Sequence, residues 1–287
     1  MKKTLLSLMG LCLIASLHAQ LTTTQINIQK SKFQMDSLDY QIHKSSRLTL
    51  ENNFMHRVLY SGRDYNLKGF GASTQLSFYH KSGLWLSTVG YYWQGSSQKL
   101  PKADLTIGYA TALDDHLSAS FSYSRWTYFG KSRDELRWAF DNFISTYWTI
   151  NTGYFGLSPS FYYMTSPSEN VAQFAITASK YIEIKRPILG GKLIFEPNIT
   201  WMSSTKDRYS TIEPSRYEGK DLRVIDYEFQ LPIIYRKVGK YDFIPKFILT
   251  HPVNIGPYDG AEEKLTFLFT ADLKIILWRK VNAKKVK

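Results

Sequence analysis

From residue 47 onward the chain keeps returning to one pattern, an apolar residue followed by a polar one. LSASFSYSRW (117–126) is the clearest run: Leu117, Ala119, Phe121 and Tyr123 fall in one phase, Ser118, Ser120, Ser122 and Ser124 in the other. Successive side chains of a strand point to opposite faces, so each run predicts a strand with one apolar and one polar face. The runs place strands at 47–60, 69–80, 83–93, 103–113, 116–128, 144–152, 155–164, 171–184, 191–202, 222–235, 242–253 and 264–278. Most have ~9–14 residues, where soluble strands typically have ~5–6 and bilayer-crossing strands need ~9–11.

The connections alternate in length as well. Short ones fall at 80–83, 114–115, 153–154, 185–190 and 236–241; longer ones fall at 61–68, 94–102, 129–143, 166–170, 203–221 and 254–263. An even number of long strands, with short turns at one end and longer loops at the other, is the pattern of a closed membrane barrel. A soluble sandwich alternates too, but its wet face carries many charges. Here the polar phase is rich in Ser, Thr, Gly, Asn and Tyr, so the serines of LSASFSYSRW are expected to face a lumen and the aromatics lipid. Trp93, Trp126, Trp138 and Trp201 fall near long-loop ends and Trp85 and Trp278 near short-turn ends, as two interfacial girdles would; Trp148 falls mid-strand. Pro159, Pro197, Pro232, Pro245 and Pro252 break the rule against proline inside strands, and a bulge is expected at each.

The first 19 residues, MKKTLLSLMGLCLIASLHA, have a charged start, an apolar run and a small residue at the cut, as a secretory signal does. The one cysteine, Cys12, lies inside that run, so the exported chain has no disulfide. No later run reaches the ~18 apolar residues of a membrane helix. The formal charge of +12 loses Lys2 and Lys3 with the leader. Export and the lack of any motif argue against nucleic acid as the basic chain's partner.

The chain from about residue 46 thus resembles the Gram-negative outer-membrane β-barrels, a resemblance to a class rather than to one family. It implies an all-β fold, a transmembrane antiparallel up-and-down barrel of about 12 strands with short periplasmic turns and longer extracellular loops. It also implies a place in the outer membrane, with outer-membrane lipids and the barrel assembly machinery as partners. Such barrels commonly end on an aromatic residue, a part for which Trp278 is the candidate. The expected organisation is a signal peptide at 1–19, a polar lead or plug at 20–46, the barrel at 47–278 and a basic tail at 279–287.

In this arrangement the basic excess sits on the short-turn rim, while the lumen leans acidic. Its charged candidates are Arg57, Lys192, Lys246 and Lys274 against Glu51, Asp104, Glu183, Glu196, Asp226, Glu228 and Asp272. Carboxylates lining an open pore favour cations, and a structural network of Glu196, Glu228 and Lys246 is the competing reading. Arg125 and Lys180 fall in the lipid-facing phase near strand ends, where long stems snorkel. The segment GKSRDELRWAFDNF (130–143) has helical spacing, with Ser132 and Glu135 set as a capping box; such a helix either folds into the mouth or packs outward.

Chemistry is harder to find. Among His43, His56, His80, His116 and His251 none stands in the His-x-Ser-x-Gly string of the phospholipase barrels, and His56 and His251 alone lie near the outer end. Asp259, Glu262 and Glu263 are an incomplete oxygen set for a cation. No cofactor, metal site or catalytic residue is implied. The expectation is a channel or transporter for small polar solutes with weak cation preference. A lipid-modifying enzyme, and a closed barrel that docks a protein through 203–221, stand as alternatives.

Overall fold

The computed structural model describes residues 45–56, 59–60, 63–64, 69–97, 100–114, 116–131, 139–167, 170–205, 222–253 and 265–281. The expected signal peptide at 1–19, the expected lead up to residue 44, residues 206–221 and the end of the expected tail lie outside these residues. All regular structure among them is β.

Twelve strands follow one another around the wall. They are β1 Ser45–Met55, β2 Gly71–Tyr79, β3 Leu84–Trp93, β4 Lys102–Ala112, β5 Leu117–Tyr128, β6 Asn142–Asn151 and β7 Gly156–Thr165. Then come β8, in two halves Asn170–Ser179 and Ile182–Ile188, and β9, also in halves, Gly191–Phe195 and Asn198–Ser204. The last are β10 Arg223–Lys237, β11 Tyr241–Pro252 and β12 Thr266–Val281. Each pairs antiparallel with its neighbour in sequence, and β12 closes on β1 from Ser45↔Val281 to Met55↔Thr270. Among the described residues no strand of the twelve-stranded wall is left without a neighbour on either side, which is what lets a sheet stand in lipid.

The alternation sets which way each side chain points. On β4, Asp104, Thr106 and Ala110 are buried while Leu105 and Ile107 are each 56% exposed. On β5, Ser118, Ser122 and Ser124 are buried and Phe121 is 55% exposed. The serines therefore point in and the aromatics out, as the sequence predicts. Every strand adds at least one exposed apolar side chain to the outer surface, such as Phe54 on β1, Leu76 on β2, Phe161 on β7 and Phe247 on β11. An apolar belt running right round the wall is far larger than the patches water-soluble proteins carry, and hydrocarbon is the solvent that suits it.

The short connections are tight. Leu189 (φ 49°) and Gly190 (φ 69°) form a two-residue turn with both residues left-handed, the kind whose twist matches its strands. Gly83 (φ 95°) leaves no room for a side chain, since a Cβ there would stand 2.2 Å from the Ala110 carbonyl oxygen.

Several expectations need correcting. Trp85, Trp93 and Trp126 share the inward phase of Ser87 and Ser124, so they line the interior and belong to no lipid girdle. Trp148, read as mid-strand, points outward opposite Ala119, three residues from the end of β6 on the short-turn side, and joins Trp278 there. Trp201 faces outward near the long-loop end, and Trp138 lies outside the described residues.

The prolines do not each carry a bulge. Pro159, Pro232 and Pro245 keep the register of their ladders, which instead skip a pair or two beside them: 148–149 against 158–159, and 233–234 against 244–245. Pro197 splits β9, and Pro252 ends β11. The register shifts fall elsewhere: between Leu48 and Thr49 on β1, between Ile184 and Ile188 on β8, and between Met202 and Ser203 on β9. The first and last strands also differ in extent. β1 stops at Met55, beyond which Leu59–Tyr60 pairs with Arg63–Asp64, and β12 runs on past Trp278 to Val281.

Candidate functional site

The candidate site is the inward face, and the two sides of the wall build it differently. From β2 to β7 it is mostly small and hydroxylated: Ser77, Ser87, Thr106, Ser118, Ser122, Ser124, Thr149, Ser158 and Ser160 are all buried. Hydroxyls there bond to hydroxyls on the next strand, Thr106 to Ser124 and Ser122 to Ser145, at 2.7 Å each. Gly108 is also part of this face; a Cβ on it would stand 2.4 Å from the Trp85 ring, so the missing side chain is what seats the indole.

From β8 round to β1 the inward face carries most of the charges and the bulky aliphatics Ile194, Ile234, Ile248 and Leu268. Ten of the eleven lumen candidates have described side chains; Arg57 lies outside. All ten are buried or half-buried in the inward phase. The strands pair them in sets along the wall. Lys192 meets Glu183 at 2.8 Å, Lys246 meets Asp272 at 2.8 Å, and Lys274 meets Glu51 at 3.4 Å. Asn53 Nδ2 donates to Asp272, tying β1 into the same node. The Thr250 hydroxyl lies 2.8 Å from both oxygens of Asp226, and Gln230 donates to Glu228. Glu196 is half-buried beside the break in β9, where its N–H donates to the Pro232 carbonyl at 3.2 Å. Of the expected trio of Glu196, Glu228 and Lys246, Lys246 forms its ion pair with Asp272.

Several inward charged residues among the described ones were missed, Arg236, Asp242, Arg47 and Lys102 among them. Arg236 grips Asp242 with Nε (3.0 and 3.1 Å) and Nη2 (2.9 Å), a bidentate fork across the β10–β11 turn. Arg47 is buried on β1 with its guanidinium 4.7 Å from the Tyr79 ring. Lys102 is buried with its Nζ 3.2 Å from Asp104, 3.4 Å from the centroid of Trp126 and 4.5 Å from that of Tyr91. Tyr91 in turn donates to Asp104 at 2.7 Å. Each was legible: Lys102 is in phase with Asp104, Arg47 with Glu51, Arg236 with Glu228, and Asp242 with Lys246.

At the long-loop end, rings line the inward face in sequence. Trp126 stacks on Phe143 at 5.5 Å, and Phe143 on Tyr162 at 5.5 Å. Phe140, 2% exposed, is buried against this row with Met164 and Val171. Tyr128 donates to its carbonyl at 2.9 Å. Residues 132–138 lie outside the described set, and 139–141 are not helical, but the returning end of the 130–143 loop is anchored inside the mouth.

His43 lies outside the described residues, and His80 Nδ1 bonds with the Ser82 hydroxyl at 2.8 Å. His56 Nδ1 accepts the Phe269 N–H at 2.8 Å, and His251 points outward on β11, two strands away. Arg125 faces outward, with Nη1 donating to Asn142 at 2.9 Å.

A closed twelve-stranded antiparallel barrel with an apolar belt and a polar, charged interior defines a transmembrane β-barrel of the outer-membrane class. No protein-family model and no curated protein matches this chain. Solved structures similar to it in fold include the KdgM porin, at 8% identity over 80% of this chain and 98% of that one, with a TM-score of 0.47. LpxR from Salmonella typhimurium is similar at 10% identity over 79% and 99%, with a TM-score of 0.48. An outer membrane channel from Pseudomonas putida F1 is similar at 10% identity over 81% and 95%, with a TM-score of 0.43. At such identities the likeness is one of fold.

Proposed function

We propose that the protein is an outer-membrane channel for small polar solutes with a weak preference for cations. One observation carries the reading: the charged side chains of the interior pair along the wall, strand to neighbouring strand, and keep their space. Lys192 and Glu183 remain 44% and 32% exposed in their side chains although they pair, and inward Tyr147 is 37% exposed. Twelve strands at ~4.8 Å spacing and a tilt of ~40° enclose a backbone tube about 24 Å across, which leaves roughly half that width between side chains. Neutralised pairs lining such a passage give weak selectivity. The carboxylates of the outer half, Glu228 above all, supply the cation bias.

The test is single-channel recording in a planar bilayer under a salt gradient. Discrete steps with a small cation-selective reversal potential are expected, and Glu228→Gln should move that potential toward zero. A folded, inserted barrel that passes no current would overturn the reading.

A further inference from the structure

We propose that the outward face of β5 and β6, at their long-loop ends, binds the phosphate of a membrane-lipid headgroup through Arg125. The inference adds to the channel reading without resting on it, because the site lies on the outside of the wall.

Arg125 is exposed and belongs to the outward phase of β5, opposite Leu105 on β4 and Asn142 on β6. A snorkelling side chain runs along its own strand into water. This one is held sideways, at its own height. Its Nη1 donates to Asn142 Oδ1 at 2.9 Å, and the Tyr123 hydroxyl donates to the same oxygen at 2.8 Å. Asn142 Nδ2 donates in turn to the Thr165 hydroxyl at 2.9 Å, which ties the amide to β7. A neutral amide takes up one of a guanidinium's five N–H groups and leaves its charge unanswered. Among the described residues Arg125 pairs with no carboxylate.

The height of the site selects the ligand. Beside and below Arg125 the outward residues of β4 and β5 are Leu105, Ile107, Tyr109, Tyr123 and Phe121, each at least 39% exposed. The strand from Leu117 to Arg125, at ~3.3 Å per residue and a tilt of ~40°, rises roughly 20 Å, against ~25 Å for the apolar band of such barrels. Arg125 therefore stands at the upper edge of the belt, where headgroups lie and where a lipid-facing charge is cheapest.

A guanidinium fork matches the oxygens of a phosphate, with bonds about twice as strong as neutral ones. A fixed cation above an apolar wall fits an amphipathic anion, with its phosphate on Arg125 and its acyl chains along Leu105, Ile107 and Phe121. A soluble anion would gain nothing from that wall. Lys180, the other cation expected in the lipid-facing phase, is already engaged, its Nζ donating to the Tyr154 carbonyl by a short turn.

The full chain, folded in a neutral detergent, would be mixed with phosphatidic acid or with phosphatidylcholine of the same acyl chains, and the lipid retained counted by native mass spectrometry. Folding is checked by the heat-modifiable gel shift of intact barrels. One phosphatidic acid per barrel, retained in preference to phosphatidylcholine and weakened by salt, is expected. Arg125→Gln should raise Kd for phosphatidic acid about tenfold, the worth of one charge-assisted bond. Should Arg125→Gln fail to fold, Asn142→Ala, which keeps the charge but frees the guanidinium, should still weaken binding severalfold. Lys180→Gln should leave it unchanged. Equal retention of the two lipids, or retention of phosphatidic acid that neither Arg125→Gln nor Asn142→Ala lowers, would overturn the proposal. Inorganic phosphate bound as tightly as phosphatidic acid would overturn it in favour of a free anion.

Discussion

From β2 to β7 the ladders run without a register shift, no strand is split, and one proline, Pro159, is accommodated by a gap beside it. From β8 round to β1 there are three register shifts, two split strands and most of the prolines, and the inward face carries most of the ion pairs and isoleucines, where the first half carries serines and the single pair Lys102–Asp104 among the described residues. The contrast follows from side-chain size and charge. A small hydroxylated residue satisfies itself on the next strand and asks nothing of the wall's shape. A buried lysine or arginine must reach a carboxylate at ~3 Å, or its desolvation goes uncompensated. Most such pairs lie on the side where shifts and breaks gather, whereas Lys102 and Asp104, two residues apart on β4, pair within one strand and ask no shift of the ladder.

The small side also leaves room, which the β5–β6 loop fills with Phe140. This gives the largest expected effect. Phe140→Ala should cost ~3–4 kcal/mol at that anchor, as large-to-small changes in a packed core do. The loss should be local: trypsin should cut at Lys131 far faster than in the parent while the barrel keeps its gel mobility. Unchanged cleavage would mean that the loop is held elsewhere and that the space behind the serines is not what seats it.

Next in size is the charged side's own bond. Asp242→Ala leaves Arg236 buried without its fork and should destabilise the barrel by about 3 kcal/mol in urea unfolding from lipid vesicles. Adding Arg236→Leu should recover much of the loss, because the cost lies in the stranded charge. If the double variant is as unstable as the single, the pair is not what holds that end of the wall.

How much of this was legible varies by side for the same reason. In β4 and β5 hydrophobicity and phase coincide, and the alternation of LSASFSYSRW gives face, strand and ladder together. In β10 and β11 they part: Ile234 and Ile248 point inward although apolar, so hydrophobicity alone misleads there while parity carried from Glu228 and Lys246 does not. The same parity places Trp126 with Ser124 inside, against a reading by height along the strand. Nothing local marks the split at 180–181 or the extra residue Leu277 at the closure. The split lies opposite Pro197 across the β8–β9 ladder, and the extra residue depends on how the last strand meets the first.

A smaller effect tests the tight fit of the regular side. Gly108→Val drives a branched side chain into the Trp85 ring and should cost about 1–3 kcal/mol, the usual range for overpacking. The indole fluorescence of a variant retaining only Trp85 should shift with it. Loss of stability without that shift would place the strain in the strand rather than in the ring.

The smallest effect is the most diagnostic of how the serine side is held. Ser122→Ala removes one partner of the 2.7 Å pair and leaves the Ser145 hydroxyl to find another bond, at ~0.5–1 kcal/mol. The double variant with Ser145→Ala removes both and should come back near the parent, because two matched methyls leave no buried donor wanting. Asp242 and Arg236 obey the same arithmetic on a scale several times larger, since a stranded charge costs more than a stranded hydroxyl. If the serine double loses more than the sum of its singles, the hydroxyls act as a connected lattice along β4, β5 and β6. The regular wall would then owe its even register to that lattice rather than to the absence of competing charges.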